Sequence, residues 1–248
     1  ETVIYDVDLT LTLPQKLSAT SGMNSVAHAV EALYAENRNP IVSMMAEECI
    51  RAFGRALPKI MQHSDDREAR SDALYGAWLG GACLGAVGMA LHHKLCHVLG
   101  GSFDLPHAET HTVVLPHALA YNAPAAPEAA ERIARALGVK DAAPGLHELA
   151  RHLGAPLALR DLGMPEDGIE QTAYLIRKFG SENRVRRIYG ALAEAGRSVE
   201  IDFAFERISR AVRSCLILSG RASIYTNLFD DNGLARVDLR FSRRNRGD

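Results

Sequence analysis

Histidines at helical spacing are the residues of this sequence best suited to chemistry. Asn24 and His28 are four positions apart, and His93 and His97 repeat that spacing further along the chain. Residues four apart on an α-helix project from the same face, about one turn from each other. His107 lies beyond a Gly-Gly pair and a proline, so the chain could fold it back toward that face. We predict that His28, His93, His97 and His107 converge on one pocket and act as the catalytic group.

Imidazoles that converge on an apolar wall suit acid-base chemistry, because histidine titrates near physiological pH. Burial of several polar rings is also unfavourable, which favours a functional role for a buried group of this kind. An isolated histidine on a helix is more often a surface residue or a hydrogen-bonded core residue. We favour that structural interpretation for the other histidines. They are His63, His92, His111, His117, His147 and His152.

Helices are predicted to carry these residues. A first helix, capped by Thr20 or Ser21, runs to Tyr34 and ends within 37–40, and a second fills 41–61. A long helix of small residues is predicted from about Arg67 to Leu99, ending at Gly100-Gly101. Further helices are predicted at 108–121, 128–137, 145–153 and 166–175. The fold class is therefore mostly α.

One long uncharged run, Ala73 to Leu91, approaches the length that spans a bilayer. It is rich in glycine and alanine and continues into His92, His93 and Lys94. We therefore interpret it as a central helix packed on all sides, where small residues allow close approach of neighbouring helices.

The totals favour small-molecule chemistry in a cytoplasmic protein. The chain has 248 residues, 47% of them hydrophobic, and a formal net charge of -2, so no global field indicates a nucleic acid or membrane partner. Four cysteines lack CxxC spacing, which favours a reducing compartment.

No secretion signal precedes the short β-branched run Thr2 to Asp6, which we predict to be a strand. The absence of an initiator Met indicates a start inside a longer protein.

Two segments carry a family resemblance. Gly22 to Ala35 reads GMNSVAHAVEALYA, and His92 to Asn122 reads HHKLCHVLGGSFDLPHAETHTVVLPHALAYN. Together they resemble the iron-containing alcohol dehydrogenase superfamily, and within it most of all the maleylacetate reductase branch. The resemblance covers roughly residues 1 to 175 and implies its dehydroquinate synthase-like helical C-terminal domain.

The resemblance implies a domain division. Residues 1–14 would be the last strand and connector of a nucleotide-binding domain that is otherwise missing, and 15–175 the helical catalytic domain. Residues 176–248 match nothing in the family pattern. The chain has no glycine-rich phosphate loop between a strand and a helix, in agreement with that division.

The resemblance also implies roles for single residues. Metal-binding relatives use an Asp and three histidines, which correspond here to Asn24, His28, His93 and His107. Because Asn24 is a neutral amide where those relatives have a carboxylate, we expect that no metal is required; if one binds, His28, His93 and His107 would hold it.

The implied reaction is reduction of maleylacetate to 3-oxoadipate by NADH or NADPH, in the breakdown of aromatic compounds. His97 would lie near the nicotinamide as the cofactor-binding residue, and Asn24, Lys94 and His111 would bind the dicarboxylate substrate. A homodimer is the implied assembly. The open alternatives are a metal-dependent (iron or zinc) alcohol dehydrogenase relative and a non-catalytic fragment without the cofactor domain.

Overall fold

The computed structural model describes residues 3–165 and residue 168, and the statements below concern that part of the chain. Its α-helices are α1 (Gln15–Tyr34), α2 (Pro40–Gln62), α3 (Arg67–Ala86), α4 (Leu91–Phe103), α5 (His107–Asn122), α6 (Pro127–Leu137) and α7 (Ala142–His152). Short 3-10 helices lie at Val7–Thr10, Ala123–Ala125 and Leu159–Leu162. The predicted mostly α fold class is confirmed.

Local sequence explains several helix boundaries. The Asn39 side chain accepts a hydrogen bond from the Val42 amide at the start of α2, with Pro40 in its first turn. Asp66 caps α3 through the Ala69 amide. The first helix begins at Gln15, with Pro14 at its N-cap position, which is earlier than the predicted cap at Thr20 or Ser21.

Glycines allow α1, α2 and α3 to pack closely. A Cβ atom on Gly22 of α1 would lie 2.8 Å from a methyl carbon of Leu57. On α3, a Cβ on Gly80 would lie 2.2 Å from the Ser25 hydroxyl oxygen. Helix α1 is therefore held tightly between its neighbours, and its position is determined by packing. A second core joins α4 to α5 through Leu95, Leu99, Val113 and Val114 and includes Leu159.

The predicted long helix at 67–99 is in fact two helices. Helix α3 ends at Ala86, α4 begins at Leu91, and their axes meet at 97°. In the break, the Gly88 amide donates to the Asn37 side chain at 2.9 Å, and the Ala90 amide donates to Glu31 at 2.7 Å. These acceptors come from distant sequence, so the periodicity of the run could not indicate the break. The predicted stop at Gly100-Gly101 was also wrong, since α4 continues to Phe103.

The expectation that this run is packed on all sides was wrong as well. Only one face of α3 is buried, and Tyr75, Trp78 and Leu84 on its other side are 43%, 46% and 41% exposed. By length and composition, no single helix in the described part could span a membrane; α3 and α4 together pass that test only across their 97° bend.

The predicted strand at the start of the chain is not formed within the described residues. Positions 3–6 have no regular structure, and Val3 and Ile4 are 69% and 85% exposed. A strand requires a partner for its backbone hydrogen bonds, and the described residues offer none there. The helix predicted at 166–175, apart from Gly168, and the segment 176–248 lie outside the described residues.

Candidate functional site

The predicted histidines come together where α1, α4 and α5 meet. The ring of His93 on α4 lies with its centroid 5.1 Å from that of His28 on α1 and 6.2 Å from that of His97. The ring of His107, the first residue of α5, is 4.2 Å from that of His111. His111 in turn is 4.9 Å from His93, so it links His107 to the others.

The group is buried at one end and open at the other. His92, His93 and His111 are 0%, 6% and 0% exposed, whereas His97 and His107 are exposed and form the rim. The exposed histidines therefore lie on the solvent side of the cluster and the buried ones behind them.

Two buried residues of this site were not predicted to be functional. Glu31, on α1 one turn after His28, is fully buried, and its Oε2 accepts a hydrogen bond from His93 Nδ1 at 2.8 Å. His92 donates from Nε2 to the backbone carbonyl of His111 at 3.1 Å. A carboxylate three positions after a histidine, on a helix that is otherwise largely apolar, is the sequence signal that could have identified Glu31.

Several polar atoms at the site are buried without a hydrogen-bond partner among the described residues. These atoms are Oδ1 of Asn24, Nε2 of His93, and both ring nitrogens of His111. Buried polar groups in native proteins are almost always satisfied, so atoms of this kind indicate a ligand, water or ion. The potential ligand atoms of His92, His93 and His111 all lie within 4.8 Å of one another, close enough to hold a metal ion together.

Burial favours the neutral form of the His28, His92 and His111 imidazoles. Desolvation, together with the neighbouring histidines, lowers the pKa of His28 to about 4. Desolvation also lowers the pKa of His92 to about 4, against the raising effect of Glu31. The pKa of His111 is far below its ordinary value for the same first cause. Neutral imidazoles have the lone pairs that a cation or a substrate proton requires.

Glu31 behaves in the opposite sense. Burial by itself would raise the pKa of this carboxyl, but the hydrogen bond from His93 and the nearby imidazoles outweigh it, so the pKa lies below its ordinary value. The site thus combines one buried carboxylate with the neutral imidazoles of His28, His92 and His111.

The remaining predicted residues are placed as follows. Asn24 and His28 are half-buried on α1, and Lys94 is half-buried on α4, where its charge helps to lower the pKa of His97. His63 and His152 are exposed, and His152 pairs with Glu148. His117 and His147 have no ring contact with the cluster among the contacts of the described residues; burial, with His147 nearby, lowers the pKa of His117 to about 4.

Residues 18–184 match the Fe-containing alcohol dehydrogenase family, C-terminal. The chain belongs to the iron-containing alcohol dehydrogenase family. Maleylacetate reductase of Sphingobium indicum is 62% identical over 173 residues, which is 70% of this chain and 49% of that protein. The chain therefore spans about half the length of the curated relatives that it matches.

Solved structures of iron-containing alcohol dehydrogenase relatives have the same fold. Maleylacetate reductase from Agrobacterium tumefaciens has a TM-score of 0.73 and 45% identity, covering 87% of this chain and 57% of that one. Iron-containing alcohol dehydrogenase from Corynebacterium glutamicum has a TM-score of 0.75 and 40% identity, covering 87% and 56%. The predicted resemblance to this family is confirmed.

The expectation that a metal is not required has no support here. The family model is named for iron, and the described residues include a group of imidazoles that fits a divalent cation. That group shares His93 with the set implied by resemblance but contains His92 and His111 in place of His28 and His107. The roles assigned to single residues stay predictions.

Proposed function

We propose that this chain contributes the helical domain of a maleylacetate reductase, which reduces maleylacetate to 3-oxoadipate with NADH or NADPH during breakdown of aromatic compounds. The observation that carries the proposal is the 62% identity to the maleylacetate reductase of Sphingobium indicum over 173 residues. The family match over residues 18–184 includes the whole histidine cluster. A homodimer and a cytoplasmic location remain part of this prediction.

The described residues account for the substrate side of such a reaction. Hydride addition to a carbon-carbon double bond conjugated to a ketone develops negative charge on the ketone oxygen, which needs hydrogen-bond donors. The other carbon of the double bond then needs a proton. The rim residues His97 and His107 are exposed to solvent. His93, below them, presents a buried Nε2 with no partner within the described residues.

Binding of the dicarboxylate is assigned to Asn24, Lys94 and His111. Lys94 supplies a positive charge beside His97. The amide of Asn24 can present its nitrogen as a donor in place of the unpartnered Oδ1, because the two amide orientations are equivalent in shape. An imidazole of His111 can donate one hydrogen bond in either tautomer.

The glycine pairs of the described residues do not supply a phosphate-binding loop for the nucleotide cofactor. Gly80 and Gly81 lie inside α3, and Gly100 and Gly101 lie inside α4, so none belongs to a phosphate loop between a strand and a helix. The nucleotide would bind outside the described part of the chain, with His97 as its neighbour at the rim.

A second candidate is a metal-dependent alcohol dehydrogenase relative, favoured by the convergence of His92, His93 and His111. A bound divalent cation would act as a Lewis acid toward the substrate oxygen. His93 belongs to both candidate ligand sets, so exchange of His93 for Ala should lower zinc binding whichever set is used.

The test is a titration of this chain with NADH and NADPH, followed by nicotinamide fluorescence, with metal content measured on the same sample and maleylacetate turnover measured next. Binding followed by maleylacetate reduction supports the first candidate. Stoichiometric iron or zinc with oxidation of simple alcohols supports the second. Absence of binding and of both activities rejects an active enzyme for this chain and favours a non-catalytic fragment.

A further inference from the structure

Glu31 makes an unusual set of contacts for a buried carboxylate. Its Oε2 accepts from the Ala90 amide at 2.7 Å and from His93 Nδ1 at 2.8 Å, and its Oε1 accepts from the His92 amide at 2.8 Å. The Tyr34 hydroxyl is a more distant donor at 3.5 Å. Burial of a carboxylate is strongly unfavourable unless donors compensate, and nearly all of these donors come from the start of one other helix, α4.

The start of α4 has no acceptor of its own. Its N-cap residue is Ala90, which offers no side-chain hydrogen bond to the first turn. The first amides of a helix lack intrahelical partners, and this end of the helix favours negative charge. Glu31 satisfies the amides of Ala90 and His92 from a different helix, so it determines where α4 begins and hence where His93 is placed.

The same contacts determine which ring nitrogen of His93 carries the proton. An ionised carboxylate only accepts hydrogen bonds, so the 2.8 Å contact with Glu31 requires a proton on His93 Nδ1. His92 leads to the same conclusion. It donates Nε2–H to the His111 carbonyl, so its Nδ1 is an acceptor. That Nδ1 lies 3.4 Å from His93 Nδ1, which is therefore the nitrogen that carries the proton.

We propose that Glu31 is a positioning residue for His93: it sets the start of α4 and keeps the His93 proton on Nδ1, which leaves Nε2 as the nitrogen available to a ligand. That nitrogen is buried and has no hydrogen-bond partner within the described residues. A carboxylate behind a functional imidazole orients the ring and selects its tautomer, and loss of such a partner lowers activity or metal affinity by about 10- to 100-fold. The consequence for catalysis rests on the proposed function; the placement and the tautomer do not.

The first measurement uses the wild-type chain. Long-range 1H–15N correlation spectra of uniformly 15N-labelled protein distinguish protonated from unprotonated ring nitrogens, and His93→Gln identifies the His93 signals by their loss. We expect Nδ1 of His93 to be protonated and Nε2 to be unprotonated. A proton on Nε2 alone would overturn the proposal without the need for any variant at position 31.

The second measurement uses Glu31→Gln and Glu31→Ala with Asn39→Ala as the matched control. Asn39 caps α2 through the Val42 amide at 3.0 Å, so its loss removes a helix cap away from the histidine cluster. In Glu31→Ala we expect the His93 tautomer to change or become mixed. The control should keep the wild-type tautomer and its kcat.

The two glutamate variants separate positioning from a purely structural role. The amide of Glu31→Gln can accept on one side only, so it must weaken either the contact at Oε2 or the contact at Oε1. If turnover is present, kcat should fall about 10- to 100-fold with a smaller change in KM, because Glu31 does not face substrate. A folded Glu31→Ala variant with an unchanged His93 tautomer and unchanged kcat would reject the positioning role. The expected tautomers in a chain without reductase activity would support this inference and count against the proposed function alone.

Discussion

Asn24 is the residue whose chemistry bears most directly on the metal question. Within the part of the chain that the structure describes, its Oδ1 is buried without a hydrogen-bond partner, and Asn24 lies one turn from His28 on α1. A carboxylate at this position would add a charged oxygen ligand to the imidazoles. The neutral amide therefore weakens cation binding at this site relative to an acid, because hard cations prefer charged oxygen ligands.

We expect Asn24→Asp to bind zinc or cobalt about tenfold more tightly than the wild-type chain, equivalent to about 1.4 kcal/mol. The measurement is calorimetric titration of the metal-free protein. Ser71→Asp, which adds the same charge on an exposed position of α3, serves as the control and should leave the affinity unchanged. Equal affinities in all three proteins would show that position 24 does not face the cation.

Removal of single imidazoles should identify the groups that act on substrate. We expect His93→Ala and His107→Ala to lower kcat for maleylacetate by about 100-fold or more, because the first would remove the buried nitrogen available to a ligand and the second a proton carrier at the rim. His152→Ala, at an exposed position paired with Glu148, is the control. Wild-type kcat in both His93→Ala and His107→Ala would reject their catalytic role.

At the scale of elements, the site depends on how closely α1 and α3 approach each other. Gly80 faces Ser25, the neighbour of Asn24, and a Cβ there would lie 2.2 Å from the serine hydroxyl oxygen and 3.0 Å from its carbonyl oxygen. The backbone carbonyl cannot move away without moving α1. Close packing of α3 thus determines the position of the helix that carries Asn24, His28 and Glu31.

We expect Gly80→Ala to destabilise the chain and Gly81→Ala to stabilise it. Overpacking costs about 1–3 kcal/mol, which exceeds the gain of about 1 kcal/mol from replacing a helical glycine by alanine. A Cβ on Gly81 would meet nothing within 4 Å, so only the gain applies there. Urea unfolding of both variants provides the comparison. Equal stabilities would show that α1 and α3 can separate without loss.

At the scale of the whole molecule, the buried imidazoles make stability depend on pH. The folded-state pKa of His28 is about 4, below its ordinary value of 6.5, because of desolvation and the neighbouring His93, His92 and His107, against the raising effect of Glu31. Between these two values the unfolded chain binds more protons than the folded chain. Proton binding by the unfolded chain therefore lowers the free energy of unfolding as the pH falls from 6.5 toward 4, and this effect is absent above pH 6.5.

The unfolding midpoint of the metal-free chain should accordingly decrease as the pH is lowered from 7 to 5. The lowered pKa of Glu31 continues this decrease below its ordinary value of 4.5, because its ionised form is the one stabilised on folding. In His28→Gln the decrease should be smaller than in the wild type, and His63→Gln, at an exposed position, serves as the control. Thermal unfolding in buffers of matched ionic strength measures this, and an increase of the midpoint at low pH would contradict it.

Local patterns in the sequence determined the helical class, most helix positions, and the shared helix faces of Asn24 with His28 and of His93 with His97. These features depend on the 3.6-residue period, on caps such as Asn39, and on residues four apart sharing a helix face. They need no knowledge of distant contacts. The two motif segments likewise indicated the family before any geometry was known.

Tertiary structure alone decided the break between α3 and α4, the burial of one face of α3, and the inclusion of Glu31 and His92 in the site. The break exists because Asn37 and Glu31 accept hydrogen bonds from backbone amides more than 50 positions away in sequence. Such acceptors replace the bonds of a continuous helix only after α1 and α4 have packed together. A periodic pattern describes the face of one helix, whereas these contacts are properties of how helices meet.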